Sequence, residues 1–250
     1  MSSSLQDWFE TPLGHYMLER EQACVDHMVA DIFGFNAMQL GLSQHDFLRM
    51  NRIPFHFKAG EEAIAQVRTN ACHLAVASQS IDLLVLPHVL EFSHNPHQVL
   101  REVERVLMPE GVVIISGFNP YSLWGIWRMF RQTQVEYPWR GKFISLPRLK
   151  DWLALLGFEV VAGRLCCYAP PINREKWLNH FSFMESAGDR WWAMGGGVYF
   201  LQAKKRVHGM RLIMPKWSEK MAADKSLAGA AQKVVNFKRK VEDSTDNGNN

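Results

Sequence analysis

No apolar run in this chain approaches the roughly 20 residues that a membrane-spanning helix needs, so none is expected. The opening residues, MSSSLQDWFETPLG, lack the basic start and apolar core of a secretion signal, which makes the cytoplasm the expected location. Cysteine is scarce. The four thiols, Cys24, Cys72, Cys166 and Cys167, have no metal-ligand spacing, and an adjacent pair makes only a strained disulfide, so reduced and mostly buried thiols are expected. The ten histidines show no HExxH or other paired-ligand spacing, which argues against a metal site. No Ser, Cys or Asp sits in a nucleophile elbow, and GLSQH lacks the GxGxxG that would receive a dinucleotide pyrophosphate. Charge bias is also missing: a net +3 with 21% charged residues gives no basic excess that would imply nucleic acid.

What is present is a 250-residue chain with 47% hydrophobic content, enough for one substantial core. A single domain over residues 1–217 is expected, followed by a polar tail, 218–250, too poor in large apolar residues to pack. Thr11 and Pro12 start a helix whose residues Leu13, Met17, Cys24, Met28 and Ile32 share one face, running to Gly34 and covering a sheet. Strands are expected at 36–42, 53–58 and 64–70. The most informative stretch runs from Ser80 to Trp124. Ile81–Leu86 is continuously apolar, as a strand buried on both faces must be. Asn95 and Pro96 then open a helix with Val99, Leu100, Val103, Val106 and Leu107 on its inner face, and Pro109 and Gly111 close it ahead of a second buried strand, Val112–Ser116. A parallel crossover of this kind places its functional loops at the carboxyl ends of the strands. Further on, 146–156 reads as a helix, and 158–165 and 198–203 as strands that 210–214 extends.

SIDLL, the PHVLEF turn and REVERVLMPEG occur here together and in order. In this combination the chain resembles the class I S-adenosylmethionine-dependent methyltransferases, in particular the type 11 branch that includes the ubiquinone and menaquinone enzymes. It is similar to bacterial methyltransferase-like proteins carrying both LPHVLEF and GFNPYSLWG. The resemblance implies an α/β, Rossmann-like fold, with a mostly parallel seven-stranded sheet, helices on both faces and an antiparallel edge strand. It also implies S-adenosyl-L-methionine as cofactor.

The same resemblance implies a cofactor site with departures from the family pattern. The acid and glycine-rich turn after the first strand correspond to Gln39, Gly41, Ser43 and His45, so an amide replaces the carboxylate and one glycine remains of three. Glu61, about 20 residues after Gly41, is the candidate for the ribose hydroxyls. Asn70 and Ala71 stand where an Asp and Ala hold the adenine, and Leu86, Pro87 and His88 match the turn that contacts the methionine part.

Methyl transfer from a sulfonium needs alignment in a dry pocket more than it needs a base. His88 is nevertheless the expected catalytic candidate, either as a general base or as a packed histidine at a strand end. Asn119, Tyr121 and Trp124 lie at the expected pocket mouth as substrate contacts. The aromatic and basic insertion at 119–143 is either a lid over a small or lipid-like acceptor, a peripheral membrane contact, or core packing. The main reading is methyl transfer to such an acceptor. The alternative is a noncatalytic scaffold or binding protein with an eroded cofactor site.

Overall fold

A computed structural model describes residues 5–130, 137–173 and 195–207. The chain divides into two units, Met1–Val207 and His208–Asn250, and every described residue belongs to the first. The expected tail at 218–250 and the strand extension at 210–214 lie outside the described residues.

Seven strands form one sheet in the order β3-β2-β1-β4-β5-β7-β6. They are β1 (Asn36–Leu40), β2 (Phe55–Gly60), β3 (Val67–Arg68), β4 (Ile81–Pro87), β5 (Leu107–Phe118), β6 (Phe158–Cys166) and β7 (Val198–Lys205). All neighbours from β3 to β5 run parallel. The antiparallel strand β7 enters beside β5 and pairs with β6 at that edge. β4 sits centrally with Leu83 to Leu86 buried, which is why its sequence does not alternate.

Two helical layers cover the sheet. On one face lie α1 (Leu5–Phe9), α2 (Pro12–Val29) and α5 (Leu123–Phe130), sharing a core that includes Phe9, Met17, Val25, Val85, Ile114, Phe118 and Trp124. On the other lie α4 (Pro96–Val106) and α6 (Leu146–Leu155), where Val99, Val103, Leu149 and Leu153 meet Leu84, Leu86, Ile115 and Leu201. The short α3 (Val89–Phe92) follows β4 directly. Both expected helix starts form as read: Thr11 accepts from the Gly14 amide at 3.1 Å, and Asn95 accepts from the Gln98 amide at 3.2 Å.

Several boundaries differ from expectation. Pro109 and Gly111 do not separate α4 from β5; the strand begins at Leu107, and the segment between the Ile81–Leu107 and Leu83–Val112 pairs is a bulge, because Pro109 has no amide to pair. The third strand shrinks to two residues; the Ala65 amide bonds back to Glu62 O at 3.1 Å, and Ile64 is exposed. α2 ends at Val29 rather than near Gly34. Among the described residues no helix joins β1 to β2 or β2 to β3, so loops alone make those crossovers.

Candidate functional site

The loop after β1 is organised by one buried amide. Gln39 Nε2 donates toward Gly41 O (3.0 Å), Leu42 O (3.1 Å) and His45 O (3.0 Å), while its Oε1 accepts from Phe47 N at 3.0 Å. Three carbonyls converging on one point need a donor there, which a carboxylate cannot supply. The amide in place of the family acid thus follows from the loop's own geometry, and Gln39 faces the loop, not the cavity. Gly41 adopts φ +82, and a Cβ there would lie 3.1 Å from Val89 Cγ2, so the retained glycine is required by backbone conformation as well as space. The Ser43 amide donates to Glu62 Oε2 at 2.7 Å. Burial lowers the pKa of His45, which leaves it a neutral ring packed edge-on to Phe9.

A cavity of about 730 Å³ opens at the carboxyl ends of β1 to β4. This spans the point where strand order reverses, the usual ligand crevice of open α/β sheets. Gly41, Glu61, Asn70, Ala71, Pro87 and His88 all line it. Asn70 Nδ2 donates to Glu61 Oε1, and Asn70 Oδ1 accepts from the Cys72 amide at 2.8 Å, so the ends of β2 and β3 are tied together. Gln39, Ser43 and Leu86 are not among the lining residues; Leu86 points into the core between the sheet and α4. On the β4 side the wall is apolar: Leu5, Val89, Phe92 and Tyr137, with the last two rings 5.2 Å apart.

His88 is fully committed. Its Nδ1 meets Glu91 Oε2 at 2.7 Å and its Nε2 meets Glu21 Oε1 at 2.6 Å, with all three side chains buried. Burial opposes charge on the ring, but the two carboxylates outweigh it and raise the pKa to about 10. With both ring nitrogens engaged by buried glutamates, His88, expected as a general base, offers no free nitrogen to a substrate proton in this arrangement. Glu91 also accepts from the Phe118 amide, joining α3 to the end of β5. His88 itself sits at φ 54, a left-handed conformation that costs about 1 kcal/mol or more and needs support from its surroundings.

The expected substrate contacts do not reach the cavity. Asn119 is buried, with Nδ2 donating to Gly196 O and Oδ1 accepting from Tyr121 N, both at 3.0 Å; it is a turn residue. Trp124 is buried with Nε1 on Ala169 O at 3.0 Å, and Tyr121 is exposed away from the lining. Glu21 is the functional-site neighbour that was not anticipated. Its signal is a carboxylate in the stripe Met17, Glu21, Val25, Met28 on the buried face of α2, a position that calls for a buried partner.

A methyltransferase-domain family model matches residues 49–115. The uncharacterized protein YafS of Escherichia coli is 30% identical over 156 residues, covering 62% of this chain and 65% of the relative. The chain therefore spans just under two thirds of that relative's length. A SAM-dependent methyltransferase of Thermotoga maritima superposes with a TM-score of 0.58 at 15% identity, covering 78% of this chain and 91% of its own. A chain from the complex of a Haloferax volcanii methyltransferase with the Trm112 methyltransferase activator gives 0.56 at 13% identity, covering 83% and 100%. The chain has the fold of the class I S-adenosylmethionine-dependent methyltransferases.

Proposed function

We propose that this chain, built on the class I methyltransferase fold, binds S-adenosylmethionine in the cavity above β1 to β4 and methylates a small, apolar or lipid-like acceptor. The observation that carries the reading is the cavity at the strand-order reversal, with a close-approach glycine, Gly41, on one side and a carboxylate, Glu61, on another. Bound there, S-adenosylmethionine would supply an electrophilic methyl group on a sulfonium. Glu61 would accept from the ribose hydroxyls, steadied by Asn70, and Ala71 would border the base. Gly41 and Pro87 would flank the methionine part. Leu5, Val89, Phe92 and Tyr137 would keep water from the acceptor. With His88 already protonated, positioning rather than base catalysis is the chain's contribution. The cavity belongs to a domain we assign to residues 1–217, with 218–250 as an appended tail.

One observation favours the noncatalytic alternative. Glu62 already occupies the Ser43 amide, a donor that a glycine-rich turn would leave to the ligand. Calorimetric titration with S-adenosylmethionine and S-adenosylhomocysteine separates the two readings. Binding near 1 μM, about 8 kcal/mol, that Gly41→Trp abolishes supports the enzyme and justifies an acceptor search. Absence of binding to folded protein supports the scaffold.

A further inference from the structure

We infer that Glu21, His88 and Glu91 form a positioning clamp that locks helix α2 to the turn after β4, so that docking of the N-terminal helices and the shape of the cofactor cavity are coupled. The inference rests on the cofactor-site reading for its functional consequence and on geometry alone for the clamp.

Two stretches distant in the chain meet in this cluster, α2 and the continuous turn from the end of β4 into α3. Glu21 comes from α2, His88 from the end of β4 and Glu91 from α3, and the bonds of 2.6 and 2.7 Å lie within a region closed to solvent. Buried charge-assisted bonds of this length are strong and strict in direction. They hold a residue whose backbone is left-handed and which lines the cavity. α1, which continues into α2 through the turn at Thr11, contributes Leu5 to the same cavity. Displacing α2 would thus release the support of His88 and move a wall residue together.

The arrangement is also specific about charge. Two carboxylates and one imidazolium leave a net negative cluster, and Glu21 Oε2 has no hydrogen-bond partner among the described residues. A neutral ring could donate to only one carboxylate, leaving the other buried and unpaired, which is heavily penalised. The clamp is therefore closed only while the ring is charged. Other titratable groups that sense it include the Tyr199 phenol of β7 and the thiols Cys24 of α2 and Cys166 of β6, all raised above their ordinary values, and the His45 ring, lowered by burial; all stay neutral across the range in question. The Phe118 ring, 4.4 Å from the imidazole, closes the remaining side.

The test combines hydrogen exchange on ligand-free protein with S-adenosylhomocysteine titrations from pH 7 to 9. Glu21→Gln is expected to speed exchange not only in α2 but also at 87–92, and His88→Asn to speed it in α2. Asp26→Asn, which breaks only the exposed Asp26–Arg49 pair on α2, is expected to leave 87–92 unchanged. Wild-type affinity should follow the ligand's own titration over this range. Glu21→Leu, which leaves the ring one carboxylate and gives Nε2 no polar partner on α2, should fall a further tenfold or so by pH 9. Glu21→Gln affecting α2 alone, or affinities of Glu21→Leu and wild type running parallel with pH, would overturn the clamp. If the wild type binds no S-adenosylhomocysteine, the cofactor reading fails and exchange at 87–92 alone decides the clamp.

Discussion

Gln39 shows how one atom type decides a loop. Replacing its amide by the carboxylate of the family pattern, Gln39→Glu, sets an oxygen against the carbonyls of Gly41, Leu42 and His45, and should cost about 3 kcal/mol in urea denaturation, the range for a buried charge without partners. His88 gives a second prediction. Its pKa rises from 6.5 in the open chain to about 10 in the fold, so the folded state keeps a proton that the unfolded chain gives up. That stabilisation is complete below about pH 6.5, declines as pH rises and is gone above about pH 10, at a slope of at most roughly 1.4 kcal/mol per pH unit. Thermal melts of the wild type should lose stability across this window, while His88→Gln should show a much shallower slope. Neither behaviour was legible in the sequence, since a Gln at an acid position and a His at a strand end each have several meanings until their partners are placed. Glu21 lies 67 residues from His88, and no local pattern links them.

At the scale of elements the sequence was more explicit where local chemistry decides. Caps, proline starts and apolar stripes announced α2 and α4, and Asn95→Ala is expected to remove about 1 kcal/mol of stability in chemical denaturation, as a lost N-cap does. Glu102, paired with Arg105 on the same helix, accepts from the Leu74 amide, so Glu102→Ala should loosen the segment before β4, read as faster amide exchange at Leu74. Where tertiary pairing decides, the sequence misled. Pro109 and Gly111 look like a helix stop, yet the chain resumes pairing around them. The stretch 64–70 has strand-like composition but pairs only at Val67 and Arg68, because Gln66 turns its side chain to the Lys58 amide at 2.7 Å. The aromatic stretch from 119 shows a third case: Trp124 and Trp139 are core, while Trp127 and Phe130 remain exposed, a division that composition does not reveal.

For the whole molecule, the mostly parallel seven-stranded sheet with helices on both faces was legible through the family resemblance, whereas the strand order β3-β2-β1-β4-β5-β7-β6 is seen only in the structure. Ligand linkage acts at this scale. At a hundred times its Kd, S-adenosylhomocysteine should stabilise the fold by about 2.7 kcal/mol, read as a rise in Tm that Gly41→Trp removes. A relative of this chain sought by its glycines would be overlooked. With no helix described between β1, β2 and β3, the ends of those strands are held by side-chain anchors: Gln39 on its loop, Glu62 on Ser43, Thr69 Oγ1 on the Ala75 amide and Asn70 on Cys72. Heredity at such a site would be written in polar residues with backbone partners, so the signature to search for in distant genomes is an amide at the end of the first strand and a carboxylate pair after the second.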